Sequence, residues 1–407
     1  MGRTYRKRHR QSKKSVSDKG GGYELSDLAQ FCAAHGCQEV KRLRTYNFDG
    51  CGRGMQTLSR IQPGDALIRL PQALLVTTST ALKDDIIRSM CQRSTLKPTA
   101  VEMLCAFLLY ERQKGENSFW RYYITSLPTS FSTLLCLNPK DAHLLDSQLQ
   151  TRLDTMQRSV DRTFSETVKI FGELLGDVSY SDYLWAWHVV NTRCIYMKQP
   201  KLEEVRTSNE EEDDFALAPF LDLLNHNPSA QSSILFDDEA GFCEIVTHDT
   251  YRKYDQVFIR YDNHSNRTLL LEYGFCIPEK LDEVVELNMD ILTEYVLQGI
   301  QAEPFMEKIE DWKLTKGLLC DHIEGLSWNA LNAIKIMCDA SCGEISETVG
   351  RLRVLDSSMK HRLSYIEKLS AAKVSVKRSD NEMFILDMLS VLYKGEVAIL
   401  QHAKQYL

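Results

Sequence analysis

The chain has 407 residues, 49 Lys and Arg against 56 Asp and Glu, a formal net charge of −7, and 43% apolar residues. That balance excludes a largely disordered chain, a collagen and a coiled-coil rod, and the length sets a prior of two or three domains at roughly 150 residues each. The longest apolar runs, Val101–Tyr110 and Phe215–Leu224, are interrupted by Glu102 and Asp222, well short of the roughly 20 residues a membrane span needs.

Residues 1–19 hold eight Lys and Arg against Asp18 alone, and Gly20-Gly21-Gly22 follow as a flexible link. A basic arm on an acidic body reads as a nuclear address, a nucleic-acid contact or a plain solvated tail. With the remainder acidic, no nucleic-acid face is expected beyond the arm. No apolar h-region accompanies it, so no secretory signal is expected either.

Tyr23–Ala34 reads as a short helix. Over residues 46–80 the character changes: Gly50, Gly52, Gly54, Pro63-Gly64 and Pro71 punctuate short apolar runs such as Ala66–Leu70 and Leu74–Val76, a pattern of strands and tight turns. From about 81 to 176 the pattern turns helical. Val101, Leu104, Cys105, Leu108 and Leu109 share one 3.6-residue face, and Pro98, Pro128 and Pro139 divide the stretch. An aromatic helix is expected over Tyr183–Thr192. The acidic run Glu203–Asp214 breaks no apolar period and reads as a loop. Residues 232–262 alternate again as strands, and everything after about Pro278 reads as helix, with clean stripes in Met289–Leu297, Trp328–Cys338 and Met383–His402. Twelve cysteines form no C-x-x-C pair and have no zinc-finger partner set, so buried reduced thiols are expected.

Three phrases carry chemistry. Gly50-Cys51-Gly52-Arg53-Gly54 is a strand–turn glycine cluster that either supplies left-handed backbone or lets a ligand approach closely. Asp222-Leu223-Leu224-Asn225-His226-Asn227-Pro228 is either a polar turn before proline or, through the i,i+4 pair Asp222 and His226, a weak metal candidate with no third ligand. Tyr261-Asp262-Asn263-His264-Ser265-Asn266, followed by Tyr273-Gly274-Phe275, would alone be ordinary aromatics. G-x-S-x-G, H-E-x-x-H, Walker A and Rossmann signatures are absent.

The order of these phrases, with Trp185-Ala186 and Thr192-Arg193 between them, resembles the SET-domain protein methyltransferases. The closer likeness is to the subclass typified by the Rubisco large-subunit lysine methyltransferase, over about Tyr46–Leu407. The resemblance implies an α+β fold: a β-rich SET domain over 23–280 with a helical insertion at about 81–176, then an all-helical substrate-binding domain over 281–407, behind a disordered basic tail at 1–22. It implies S-adenosylmethionine as cofactor, and no metal. Gly52, Arg53 and Gly54 would lie along the cofactor. Arg193 would help hold it near its carboxylate, with Asp222 in the same cofactor-binding set. Asn225 would meet the methionyl part, His226 the adenine, and Phe275 the adenosine. Tyr261 matches the catalytic tyrosine, and Tyr273 would stand beside the sulfonium. Two departures stand out: Tyr261 is followed by Asp262 where glycine is common, and Asp84–Met90 matches the family poorly. The partner implied is a protein with a lysine acceptor, histone H4 among the candidates, met in nucleus and cytoplasm. One member of the subclass methylates a histidine in actin, and a silent adaptor of the same fold is the remaining alternative.

These residue types suit the chemistry. Methyl transfer from a sulfonium to an amine is an in-line displacement, served by alignment in a dry channel. The acceptor lysine, with a reference pKa of about 10.4, must first lose a proton, and an apolar channel disfavours its ammonium. Tyrosine offers a rigid wall with one directional hydroxyl, so Tyr261 is expected to orient the amine while water takes the proton.

Overall fold

The computed structural model describes residues 22–37, 39–198, 201–206, 215–237, 239–278, 280, 283–289, 292–293, 309, 314, 317–340 and 345–407. The basic arm, most of the acidic run and most of the expected Met289–Leu297 helix lie outside the described residues. The strands are short: β1 (Leu43–Phe48), β2 (Gly52–Thr57), β3 (Ala66–Pro71), β4 (Cys194–Tyr196), β5 (Phe215–Leu217), β6 (Asn225–His226), β7 (Ser232–Asp237), β8 (Phe242–Thr247), β9 (Gln256–Ile259), β10 (Val284–Glu286) and β11 (Leu319–Asp321).

The chain divides into two compact units, each assembled from separate stretches of sequence. Of the described residues, the first takes those up to Leu127, with Ile170–Asp177 and Arg193–Arg260. The second takes Pro128–Lys169, Val178–Thr192 and Tyr261–Leu407.

The first unit holds three small sheets, in the orders β1-β2-β9-β6, β3-β8-β7 and β4-β5. Pairing is antiparallel except for β6 on β9. Period-2 burial is clear in β9, where Val257 and Ile259 point inward. The helices Asp85–Arg93, Ala100–Lys114 and Arg121–Ser126 belong to the same unit. Ala100–Lys114 starts at a capping box: Thr99 Oγ1 accepts from Glu102 N at 3.3 Å, and Glu102 Oε2 accepts from Thr99 N at 2.8 Å, an arrangement worth about 1 kcal/mol. The single apolar face expected there is too narrow. Every residue from Glu102 to Leu109 is buried, as for a helix surrounded by protein.

The second unit is helical, with Tyr180–Arg193 contributing all but its last residue, together with Trp328–Ala340, Glu347–Ser375 and Asp380–Ala403. One difference from the all-helical expectation is the antiparallel pair β10–β11. Three residues per strand are too few to display a period of two, so neither had a sequence signal. The core runs from Val285 and Cys320 through Ile334 and Leu355 to Leu400, and from Leu144 and Leu270 to Leu386, Leu389 and Tyr393. Burying each such side chain contributes about 1.5–3 kcal/mol.

A buried ion network pins Asn266–Tyr273 to these helices. Arg267, 1% exposed, donates to Asp146 at 2.7 and 3.1 Å and to Glu396 at 2.6 and 3.0 Å. Arg362 Nε donates to Glu396 at 2.6 Å. Two guanidinium groups face two carboxylates, so no net charge is left in the core. The eleven described cysteines are free thiols, with Cys51 alone among them exposed.

Candidate functional site

The sequence-assigned residues divide between the units. Gly52, Arg53, Gly54, Arg193, Asp222, Asn225 and His226 belong to the first; Tyr261, Tyr273 and Phe275 belong to the second.

In the first unit, the β1–β2 hairpin turns through Gly50 (φ 79°) and Gly52 (φ 67°), left-handed positions that favour glycine. Gly54 has a different reason to lack a side chain. A Cβ there would sit 2.6 Å from Asn225 Nδ2 and 2.6 Å from Gln256 Nε2. Two side-chain amides are thus laid against bare backbone. Asn225 reaches the spot from β6, whose parallel register on β9 sets Asn225 opposite Phe258, and its Nδ2 donates to Arg53 O at 3.1 Å. Gln256 opens β9, and its buried Nε2 has no hydrogen-bond partner among the described residues. An orphaned buried donor costs about 1–3 kcal/mol unless a ligand supplies the acceptor.

Asp222 and His226 share no helix. Asp222 lies in the 3₁₀ turn Leu221–Leu223 and His226 in β6, because Phe220 just before the turn takes a left-handed φ of 71° and the chain turns straight into strand afterwards. This removes the helical metal-pair reading. Instead Arg193 Nη1 donates to Asp222 O at 3.0 Å and to Oδ2 at 3.1 Å, and the Tyr123 hydroxyl donates to Oδ2 at 3.0 Å. The Asp222 side chain is wholly buried. Burial, together with the Asp222 charge, pushes the Tyr123 phenol well above its ordinary pKa, so it remains a donor. Asp222 Oδ1 has no hydrogen-bond partner among the described residues. This unit therefore presents an unused acceptor at Asp222, an unused donor at Gln256, and a guanidinium. His226 is buried at the end of the same strand as Asn225.

In the second unit Tyr273 is the hub of an aromatic group. Its ring lies 5.3 Å from Tyr261, 5.6 Å from His264 and 6.4 Å from Phe275, centroid to centroid. It ends a π-helical turn, Leu269–Tyr273, closed by Gly274 at φ 83°. A Cβ on Gly274 would fall 2.5 Å from Ser132 C and 2.6 Å from Thr133 N, both backbone. The loop it meets is held by the aromatic helix: Trp185 Nε1 donates to Pro128 O at 2.9 Å, and Thr133 Oγ1 lies 2.8 Å from His188 Nε2. His188 Nδ1 faces Leu184 O at 2.8 Å; a carbonyl only accepts, so Nδ1 carries the proton and Nε2 accepts from Thr133. Asn191 Nδ2 donates to both Glu272 O and Glu272 Oε2, at 3.1 and 3.0 Å, clamping the residue before Tyr273.

Sequence reasoning missed Gln256, Tyr123, Asn191 and His264 as members of these clusters. Gln256 lies five residues before Tyr261 in an alternating strand and carried a weak signal. Tyr123 is 99 residues from Asp222 and carried none.

No protein-family model matches the chain. It is 31% identical to SET domain-containing protein 4 of Homo sapiens, over all of this chain and 97% of that protein. It is 34% identical to the Mus musculus protein of the same name, over 72% of this chain and 67% of that one. Identity to actin-histidine N-methyltransferase of Homo sapiens is 23%, over 68% of this chain and 46% of that protein. Among solved structures, Rubisco LSMT bound to AdoMet superposes with a TM-score of 0.65 at 18% identity, over 94% of this chain and 91% of that chain. The SET domain of LSMT bound to lysine and AdoHcy gives 0.64 at 17%, over 94% and 90%.

Proposed function

The chain belongs to the SET domain-containing protein 4 family of SET-domain methyltransferases, and on that footing we propose that it transfers methyl from S-adenosylmethionine to the side-chain amine of a protein lysine. The observation that carries the donor half is the bare backbone at Gly54 with two amides laid against it. The groups around it fit the cofactor's chemistry. Arg193 complements its carboxylate, Asp222 Oδ1 accepts from its amino or hydroxyl groups, and Asn225 and Gln256 offer neutral polar contacts beside Gly52, Arg53 and Gly54. His226 serves the adenosine. When bound, S-adenosylmethionine supplies a methyl group on a sulfonium.

The acceptor half rests on Tyr261 and Tyr273. Their tilted rings pack on the aliphatic stem of the entering lysine. Their hydroxyls orient the amine, and the surrounding side chains exclude bulk water, which favours the neutral amine over the ammonium. The helices of 281–407 hold the protein that carries the lysine. Histone H4 is among the candidate substrates, and the proposal extends to residence in nucleus and cytoplasm, with the basic arm as the nuclear address; a tagged protein with residues 1–19 neutralised should lose nuclear signal.

Isothermal titration tests the reading. Wild type should bind S-adenosylmethionine, Asn225→Ala should abolish binding, and Tyr261→Phe should largely retain it while losing methyl transfer. No binding by folded wild type would overturn the enzyme in favour of an adaptor. The resemblance to actin-histidine N-methyltransferase supplies a second reading, a histidine acceptor, which matched lysine and histidine peptides discriminate.

A further inference from the structure

We infer that His264 is the proton acceptor for the entering lysine ammonium, a further catalytic residue beside Tyr261 and Tyr273. The inference rests on the methyltransferase reading above. His264 sits in the loop between Tyr261 and the turn that ends at Tyr273. Its ring lies 5.6 Å from the Tyr273 ring at 38°, on the hub that also carries Tyr261 at 5.3 Å. It is half-buried. Neither ring nitrogen has a hydrogen-bond partner among the described residues, in contrast to His188, whose two nitrogens are both engaged. An imidazole placed among the acceptor tyrosines with a nitrogen to spare is equipped to receive a proton.

Its charge state agrees. Burial lowers the His264 pKa below the usual value; Asp262 on the same loop acts to raise it, and Lys280 from the following segment acts to lower it further. The Lys280 ammonium is itself buried, 4.0 Å from Glu283. Tyr273 is the phenol in ring contact with it. His264 is therefore neutral at pH 7, with a lone pair available. The step is a single proton transfer: an N–H bond of the ammonium breaks, its electron pair stays on the lysine nitrogen as the nucleophilic lone pair, and the proton passes to a His264 nitrogen. The imidazolium then releases the proton to water from its exposed side. This replaces bulk water as the acceptor at the moment the amine is needed.

The experiment measures kcat and KM on a lysine peptide from pH 5.5 to 10, with S-adenosylmethionine affinity measured separately by calorimetry. His264→Asn should lower kcat at pH 7.5 by about 10²-fold, the scale of one general base, while cofactor affinity stays within twofold. The deficit should shrink toward pH 10, where the substrate amine, with a pKa of about 10.4, deprotonates unaided. Added imidazole should restore part of the rate to His264→Ala. A variant with wild-type kcat and an unchanged pH profile overturns the inference and leaves the methyltransferase reading standing; absence of transfer by wild type sinks both. If the variants fold poorly, the wild-type profile decides. A break below pH 6.5 is expected, and a rate that climbs without a break to pH 10 overturns the assignment.

Discussion

Gly274→Ala tests the link between the Tyr273 turn and its supporting loop. Gly274 is left-handed at φ 83°, and the new Cβ would lie 2.5 Å from Ser132 C, 2.6 Å from Thr133 N and 2.7 Å from Ser132 O. The strain of a left-handed non-glycine residue costs about 1–2 kcal/mol. Forcing a methyl group into closed packing adds about 1–3 kcal/mol. These atoms are backbone, fixed in part by Ser132 Oγ donating to Gly274 O at 3.0 Å, so they do not swing away as a side-chain tip would. The sum is about 2–5 kcal/mol, equivalent to a fall of about 1–2.5 M in the urea midpoint for a slope of about 2 kcal/mol per M. Gly176→Ala is the control, since Gly176 has φ 61° and nothing within 4 Å of its Cβ; it carries the strain alone. Equilibrium urea unfolding of both variants, with methyl transfer followed at low denaturant, gives the comparison. Equal midpoints for the two variants would refute the argument from backbone contact, and a Gly274→Ala midpoint within about 0.2 M of wild type, under 0.5 kcal/mol at that slope, would refute the whole of it.

Gly54→Ala should weaken S-adenosylmethionine binding by at least about tenfold, the equivalent of 1.4 kcal/mol, because its Cβ displaces the Asn225 and Gln256 amides; calorimetry showing an unchanged affinity would count against the cradle. Burial pushes the Glu283 carboxyl up to about 7, above the roughly 4.3 of an unfolded glutamate. The folded state then binds the extra proton between those values, so stability should fall as pH rises from about 4.5 to about 7 and level off above. Glu283→Gln keeps an oxygen to accept from Asn266 N, which now donates to Glu283 at 2.8 Å, and should flatten that decline; parallel curves for wild type and variant would refute the assignment. Glu396→Gln leaves two buried guanidinium groups short of one charge, a loss of about 3–5 kcal/mol, read as a lower thermal midpoint.

The linear pattern of glycines, prolines and apolar periods was enough to place the strands near 46–80 and 232–262, the helices Trp328–Ala340 and Asp380–Ala403, and the phrases that carry Gly54, Asn225, Tyr261 and Tyr273, because turn chemistry and side-chain period are local. The i,i+4 spacing of Asp222 and His226 was locally sound as a helix and was overridden by the left-handed backbone at Phe220. Pairing across long sequence separations had no local trace: Tyr123 on Asp222, Arg267 between Asp146 and Glu396, Gly274 against Ser132, and Asn191 on Glu272. Each joins groups whose neighbours in sequence look ordinary. Composition and period report which residues seek burial; only the tertiary structure decides which buried polar groups satisfy one another, since that depends on chain segments meeting from far apart. That the His264 ring nitrogens lack a partner among the described residues belongs to the second class, because a histidine in sequence looks the same whether its ring is engaged or not.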